Sequence, residues 1–171
     1  MLIMQFALSR DEGLSNGFIH NILKNELKCH SFIGVYAAND IDIEKVQESN
    51  EFIFICNLSP REHPGTHFVT IIGDRKQLLY CDSLALPIHT SHDLLNSLKK
   101  IGKRKMSTLI MTPIQSALSD FCGIYAIYFV LLFDYVRFPI VTEQNKFSKS
   151  HLRENDFICV ENIKQIIKKN I

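Results

Sequence analysis

The sequence predicts an α+β fold in which a central apolar helix packs on a small mixed β-sheet with flanking helices. Residues 124–133 form an unbroken apolar stretch, residues 51–56 and 66–72 are rich in β-branched and aromatic residues, and residues 14–28 carry apolar side chains at helical spacing. The chain has 171 residues, 46% of them hydrophobic and 22% charged, so it can bury a core without disulfides or metals. We expect one domain over residues 1–171.

The first predicted element is a helix capped by Ser15 or Asn16. Its apolar positions recur every three or four residues: Phe18, Ile19, Ile22, Leu23 and Leu27. Residues 32–36 form a short apolar segment. Residues 39–50 are polar and predict a loop with some helix.

A β-hairpin is predicted in the middle of the chain. The strand at 51–56 is followed by a break at 60–65, which contains two prolines and a glycine. The next strand, 66–72, ends at a Gly73-Asp74 turn. The strand at 77–82 returns from that turn, so the two strands should pair antiparallel.

The second half of the chain is predicted to be mainly helical. Leucine spacing indicates a helix that ends near Gly102, and a β-like run follows at 107–111. The central helix is predicted over 122–133. Residues 142–156 are polar and expected to be mobile, and 162–169 predict a short terminal helix with its isoleucines on one side.

No stretch of the sequence matches a membrane span or a signal peptide. The longest apolar run is about half of the roughly 20 residues that a transmembrane helix needs, and the N-terminus lacks a basic lead. Five widely spread cysteines without a CxxC pair favour reduced thiols. We therefore expect an intracellular monomer that binds no membrane. Four of the cysteines are expected to be core residues: Cys29, Cys56, Cys81 and Cys159.

The net charge of +1 disfavours a dedicated nucleic-acid-binding protein. However, the first part of the chain is acidic and the second part is basic. The basic residues include a run that would suit an acidic partner such as DNA: Lys99, Lys100, Lys103, Arg104 and Lys105. Solvated helix ends and loops are the simpler explanation of the same run.

Cys122 is the cysteine whose surroundings favour chemistry. It follows a polar segment and opens the predicted central helix, where free backbone N–H groups and the helix dipole stabilise a thiolate. Gly123 is expected to let a substrate backbone approach closely. Taken alone, a cysteine beside an apolar helix is more often a core residue.

A nucleophilic cysteine needs a base, and the base needs a group that orients it. His67 lies at the start of one predicted hairpin strand and Asp82 at the end of its partner, so antiparallel pairing makes them neighbours. Gln115 precedes Cys122 in the polar segment, and its amide together with the Cys122 N–H could hold an oxyanion. Each residue alone also fits an ordinary structural role.

These residues sit in sequence blocks that resemble a known family. The blocks are Pro-Gly-Thr-His-Phe at 64–68, Tyr-Cys-Asp-Ser-Leu at 80–84, Gln115 with Cys-Gly-Ile-Tyr at 122–125, and Phe-Ile-Gly-Val-Tyr at 32–36. They resemble the adenovirus-type cysteine proteases (adenain), whose relatives are encoded by Polinton/Maverick elements and related DNA viruses. The later blocks are also similar to the ubiquitin-like-protein-specific proteases.

The resemblance implies a cysteine endopeptidase with Cys122 as nucleophile, His67 as base, Asp82 as orienting carboxylate and Gln115 as oxyanion donor. It implies cleavage of viral precursor proteins during capsid maturation, at Gly-Gly or Gly-x-Gly sites, in the host nucleus and the virion. An activating peptide and DNA are the family's cofactors, although the residues themselves require neither. The chain departs from the family at Phe68, where tryptophan is usual, and it has no cysteine between Asp82 and Cys122 to tether such a peptide.

Three alternatives remain open from the sequence. A deubiquitinating or deSUMOylating isopeptidase would use the same residues. A non-catalytic binding module would keep the fold with Cys122 as a core thiol. Zinc binding by Cys56, His63 and His67 is the weakest alternative, because three ligands at this spacing fit no common zinc site.

Overall fold

The computed structural model describes residues 13–136 and 146–170 of the chain. Its helices are α1 (Asn16–His20, continued by a π-helical segment Asn21–Glu26), α2 (Ile43–Glu48), α3 (His92–Lys100), α4 (Cys122–Leu131, continued by a π-helical segment Leu132–Val136) and α5 (Leu152–Asn170). Its strands are β1 (Phe32–Ala37), β2 (Glu51–Asn57), β3 (Phe68–Asp74), β4 (Gln77–Cys81) and β5 (Lys105–Thr108). A short 3₁₀ helix, Ile88–Thr90, precedes α3.

The five strands form one mixed sheet in the order β1-β2-β3-β4-β5. The three central strands pair antiparallel, whereas β1 and β5 run parallel to their neighbours at the two edges. Thr70 of β3 lies opposite Cys81 of β4, so the start of β3 and the end of β4 meet at one end of the sheet. The prediction of an α+β fold with a small mixed sheet is confirmed.

Strand β2 shows how the sheet separates two hydrophobic cores. Ile53 and Ile55 face the core formed with α1, α4 and α5, whereas Phe52 and Phe54 face the core formed with α2 and α3. This alternation follows from the two-residue period of a strand. Because both faces are covered, the strand is apolar from Phe52 to Cys56 and does not alternate between apolar and polar residues.

Helix α4 is the central helix that the apolar run predicts. Every residue from Gly123 to Leu131 is buried, as expected for a helix that is hydrophobic on all sides. Its two tyrosine side chains retain polar partners: the Tyr125 hydroxyl, for example, donates to the Ile114 carbonyl at 3.1 Å. The helix therefore holds its first residue, Cys122, on a fixed element of the core.

The hairpin turn lies two residues later than predicted. The Asp74 carboxylate accepts hydrogen bonds from the backbone N–H groups of Lys76 (2.7 Å) and Gln77 (2.9 Å), which places the turn after Asp74. Gly73 lies inside β3 instead. A Cβ there would come within 2.7 Å of the Phe52 ring, so close packing accounts for this glycine.

Two further predictions of element bounds are wrong. Strand β5 covers Lys105–Thr108 and not 107–111, because its parallel register places Lys105 opposite Gln77, where β4 begins. Helix α5 starts at Leu152, well before residue 162. The polar residues Asn155 and Asp156 mark a buried first turn rather than a mobile loop. Residues 142–145 lie outside the described residues.

The helices in the described part of the chain are all too short or too polar to cross a bilayer.

Candidate active site

His67 and Asp82 meet at the end of the sheet where β3 begins and β4 ends. His67 directly precedes β3 and Asp82 directly follows β4. The His67 Nε2 atom lies 2.6 Å from the Asp82 Oδ1 atom. Both residues are buried, with exposures of 8% and 0%. The antiparallel pairing predicted from the sequence thus produces a buried imidazole–carboxylate pair.

The carboxylate of Asp82 is fixed by three further donors. The Tyr80 hydroxyl donates to Oδ2 at 3.1 Å, the Leu84 N–H donates to Oδ1 at 2.8 Å, and the Leu86 N–H donates to Oδ2 at 3.2 Å. Both oxygens therefore have donors, and the orientation of the carboxylate towards His67 is set by the backbone after β4. Such a carboxylate can hold an imidazole in a single orientation.

Cys122 is the first residue of α4 and is partly exposed. The preceding residue, Phe121, makes no side-chain capping hydrogen bond, so the first backbone N–H groups of α4 have no side-chain acceptor there. These N–H groups and the positive end of the helix dipole lie at Cys122. Cys122 lines the same cleft as His67, and its side chain is near enough to help raise the pKa of that imidazole. Because Nε2 of His67 faces Asp82, Nδ1 is the ring nitrogen that remains for the Cys122 sulfur.

Electrostatics at this site favour a protonated His67. Burial lowers the pKa of the imidazole, but the hydrogen bond to Asp82 and the proximity of Cys122, with the charges of the same two groups, outweigh burial and raise the pKa to about 9. The imidazole is therefore poised to carry a proton beside the sulfur.

The other four cysteines differ from Cys122 in being fully buried: Cys29, Cys56, Cys81 and Cys159. Burial raises the pKa of each thiol, to about 12 for Cys29. Low-dielectric surroundings make such thiols inert. All five cysteines are free thiols, and Cys122 alone among them combines partial exposure with a helix N-terminus and an imidazole partner.

Gln115 is brought near the site, but its amide has other partners. Its Oε1 accepts from the Ser83 hydroxyl at 2.5 Å, and its Nε2 donates to the Ser119 carbonyl at 2.7 Å. It does not line the cleft that contains Cys122 and His67. Its role as an oxyanion donor stays a prediction, and it would require the amide to leave Ser119.

Gly123 has a different role from the predicted one. A Cβ at this position would lie 3.1 Å from the Leu14 Cβ and 3.3 Å from the Ile19 Cδ1. The absence of a side chain therefore lets the N-terminal segment and α1 pack closely against α4. The glycine is buried against the protein itself and does not face the cleft.

A group of polar contacts that the sequence analysis missed closes the loop before His67. The buried Asn57 side chain accepts from the N–H of Ser59 (3.1 Å) and of Thr66 (3.2 Å) through Oδ1. The Leu58 N–H donates to the His67 carbonyl at 2.9 Å, and the Ser59 and Thr66 hydroxyls lie 2.9 Å apart. We call these contacts the loop clasp. The sequence signal that could have identified these contacts is an asparagine at the end of a buried strand, next to a partner strand.

Cys122 and His67 open onto a cleft of about 830 Å³. Its walls come from the segment before α1, the end of β1 and the loop between β2 and β3. The residues that line it are Gly13, Leu14, Ser15, Asn16, Val35, Tyr36, Ala37, Asp40, Asn57, Ser59, Pro60, Arg61, His63, Gly65, Thr66, His67, Phe68, Asp120 and Cys122. A peptide segment can therefore reach both the sulfur and the imidazole from one side.

Within residues 13–136 and 146–170, no three His, Cys, Asp or Glu side chains are grouped as metal ligands. Of the zinc ligands considered from the sequence, Cys56 is fully buried in the core on the α2 and α3 side, with its thiol directed at the Asn57 carbonyl, and His67 is held by Asp82. The residues at this site are arranged for thiol chemistry.

The solved structures that this chain matches include three of low sequence identity. A deletion variant of AvrA with IP6 and CoA has a TM-score of 0.48 and 13% identity over 67% of this chain, which spans 46% of the AvrA chain. The ASFV protease has a TM-score of 0.45 and 17% identity, covering 90% of this chain and 68% of the other. A de-sumoylating protease has a TM-score of 0.44 and 14% identity, covering 96% and 78%.

No family model matches the chain, and neither does any curated protein. All three TM-scores lie below 0.5. The chemistry inferred for this chain therefore depends on the geometry of its own residues.

Proposed function

We propose that this protein is a cysteine endopeptidase in which Cys122 is the nucleophile, His67 the general base and acid, and Asp82 the group that orients His67. The observation that carries the proposal is the arrangement at the cleft: Asp82 Oδ1 lies 2.6 Å from His67 Nε2, and His67 lines the same cleft as Cys122, the first residue of α4. A nucleophile, a base and an orienting third group in this arrangement are the requirements of covalent acyl transfer.

The reaction follows from these positions. His67 takes the proton from the Cys122 sulfur, and the thiolate attacks the carbonyl carbon of the scissile bond. His67 then gives that proton to the leaving amine as the C–N bond breaks and a thioester remains. Water, deprotonated by His67, attacks the thioester, which releases the carboxylic acid and returns the thiol. The helix N-terminal N–H groups stabilise the oxyanion formed in both steps.

The proposed substrates are proteins cut at Gly-Gly or Gly-x-Gly sites, as the sequence resemblance implies, and viral precursor proteins in particular. The cleft fits an extended chain that reaches Cys122 from one side. The proposal includes no disulfide-tethered activating peptide, because four of the five thiols are buried and the fifth is the proposed nucleophile.

The basic residues predicted as a DNA contact lie at the opposite end of the sheet from His67 and Asp82. We call Lys99, Lys100, Lys103, Arg104 and Lys105 the basic cluster. They extend from the last turn of α3 to the first residue of β5, next to the turn that joins β3 to β4. Arg104 stacks on the Phe52 ring at 5.1 Å, whereas the four lysines are exposed. We include in the proposal a contact between this cluster and nucleic-acid phosphates, which would recruit the enzyme without touching its cleft.

The test is cleavage of a fluorogenic Leu-x-Gly-Gly peptide by the wild type, Cys122→Ala and the matched control Cys159→Ala. We expect cleavage by the wild type and Cys159→Ala and none by Cys122→Ala. Equal cleavage by all three proteins would contradict the assignment. Iodoacetamide followed by mass spectrometry should modify Cys122 before the buried thiols. In wild type that cleaves no peptide, labelling of Cys122 by a ubiquitin-like protein with a C-terminal electrophile would indicate an isopeptidase instead.

A further inference from the structure

The Asn57 amide presents a hydrogen-bond donor to the cleft that no protein group uses. Asn57 is the last residue of β2 and is only 6% exposed. Its Oδ1 accepts two backbone N–H groups of the loop clasp. No group in residues 13–136 or 146–170 accepts a hydrogen bond from its Nδ2, and the residue lines the cleft beside His67 and Cys122.

The orientation of this amide follows from the chemistry of its partners. The N–H groups of Ser59 and Thr66 can be received only by an oxygen, so Oδ1 must face them and Nδ2 must face away. Solvent reaches Nδ2, because within residues 13–136 and 146–170 Arg104 Nη1 is the one buried side-chain nitrogen or oxygen without a hydrogen-bond partner. Here the open direction is the cleft, where a bound ligand or water can reach Nδ2.

Gly65 makes room for this donor. A Cβ at Gly65 would lie 2.2 Å from the Asn57 Nδ2, which is too close for any real contact, and 3.2 Å from its Cγ, which is a tight one. Gly65 also lines the cleft. The glycine therefore keeps the space around Nδ2 clear, and any larger residue would push the amide out of its position.

We propose that Asn57 is a substrate-binding residue whose Nδ2 donates a hydrogen bond to a backbone carbonyl of the peptide in the cleft. A peptide carbonyl is the matching ligand because it is a neutral acceptor that recurs along every extended chain. This inference rests on the proposed endopeptidase function and adds to it a fixed contact that aligns the peptide next to Cys122. Asn57 thus has two tasks: Oδ1 holds the loop before His67, and Nδ2 receives the substrate.

Asn57→Asp separates the two tasks. An aspartate oxygen can still accept from Ser59 and Thr66, but the second oxygen can no longer donate to a carbonyl. We expect kcat/KM for the Leu-x-Gly-Gly peptide to fall about five- to tenfold, the usual effect of one lost hydrogen bond, and mainly through KM. Alkylation of Cys122 by iodoacetamide, which needs no peptide contact, should change far less than peptide cleavage, and the new carboxylate should move its pH dependence towards higher pH.

Gly65→Ala tests the same donor without altering Asn57. This substitution should also raise KM. The double variant Asn57→Asp/Gly65→Ala should lose little more kcat/KM than the more affected single variant, because both changes remove the same interaction. Asn39→Asp is the matched control. Its side chain also accepts an N–H of this loop, from Arg61 at 3.0 Å, but it is exposed and outside the cleft.

The outcomes separate the inference from the proposed function. An unchanged KM in both Asn57→Asp and Gly65→Ala, with an active wild type, would overturn the role of Asn57 and leave the enzyme assignment intact. Equal losses in peptide cleavage and Cys122 alkylation would assign Asn57 to the loop clasp alone and would also overturn it. A wild type that cleaves no peptide and whose Cys122 reacts no faster than free cysteine would overturn both.

Discussion

The protonation of His67 offers a direct physical test of the site. Burial alone would lower the pKa of this imidazole below its ordinary value of 6.5, whereas Asp82 and Cys122 together raise it to about 9. The net difference corresponds to about 3 kcal/mol of preference for the imidazolium in the folded chain. In a buried histidine without these two partners, the pKa of the imidazole would shift downwards instead.

The same difference makes stability depend on pH with a definite sign. Because the pKa of His67 is higher in the folded chain than in the unfolded one, protonation stabilises the fold. This contribution is fully present below pH 6.5 and is lost as the pH rises through about 9. Urea unfolding should therefore show the wild type losing up to about 3 kcal/mol from this group between those two values.

Two substitutions should lower the pKa of His67 to different extents. Asp82 contributes the larger hydrogen-bond effect and a charge, and Cys122 contributes the smaller of each. We therefore expect the His67 pKa to fall in Cys122→Ala and to fall further in Asp82→Asn. Titration of ¹⁵N-histidine NMR signals from pH 5 to 10 measures both values, and signal assignment comes from His67→Asn.

The stability measurement uses differences between variants. Among the buried thiols, those of Cys29, Cys56 and Cys159 are not influenced by Asp82, so their effect on stability at high pH cancels when the curves of the wild type and Asp82→Asn are subtracted. The Asp82 charge also raises the pKa of Cys81, so the comparison is made below the pH at which that thiol ionises. Glu161→Gln, an exposed change of the same kind on α5, should keep the wild-type dependence. A wild-type His67 that titrates at or below 6.5, or a larger fall in Cys122→Ala than in Asp82→Asn, would refute the electrostatic reasoning.

Three further predictions concern packing, charge and the support of the site. Gly123→Ala should cost about 1 to 3 kcal/mol in urea unfolding because its Cβ would press on Leu14, whereas Gly17→Ala, with nothing within 4 Å, should be neutral or slightly stabilising. Replacing the four lysines of the basic cluster by alanine should reduce the slope of log K for DNA binding against log salt concentration by roughly 0.9 for each phosphate contact that is lost. Peptide cleavage should be unchanged. If that slope also stays unchanged, DNA is removed from the proposal. Asn155→Ala should cost roughly 2 to 3 kcal/mol, because Asn155 is fully buried and donates to the Ile114 carbonyl at 2.8 Å; a loss below 0.5 kcal/mol would contradict that role.

Features carried by local patterns were predictable from the sequence. The central helix is apolar on every side, so its unbroken run from Ile124 onwards indicated burial before any packing was known. The neighbouring positions of His67 and Asp82 followed from antiparallel pairing alone, since the start of one strand meets the end of the other. Neither inference needed information about distant parts of the chain.

Features set by distant contacts were not predictable. Gly73 has the sequence context of a turn, but the Asp74 side chain moves the turn and the Phe52 ring explains the glycine. Asn155 has the context of a polar loop, but its amide is buried against the segment that precedes Cys122. The contacts that explain Gly73 and Asn155 come from Phe52 and Ile114, which are distant in the sequence, and composition and periodicity cannot reveal such contacts.

Two buried amides near the cleft illustrate how hydrogen-bond partners decide function. The Gln115 amide has protein partners for both its oxygen and its nitrogen, whereas the Asn57 amide has them only for its oxygen. A donor already in use must break a bond before it can bind a ligand, so Asn57 can contact the substrate on arrival and Gln115 only once the Ser119 contact opens. Asn57→Asp should therefore act mainly on KM, and Gln115→Ala mainly on kcat, if Gln115 joins the oxyanion in the transition state. A Gln115→Ala variant with unchanged kcat would leave the N-terminal N–H groups of α4 as the oxyanion donors.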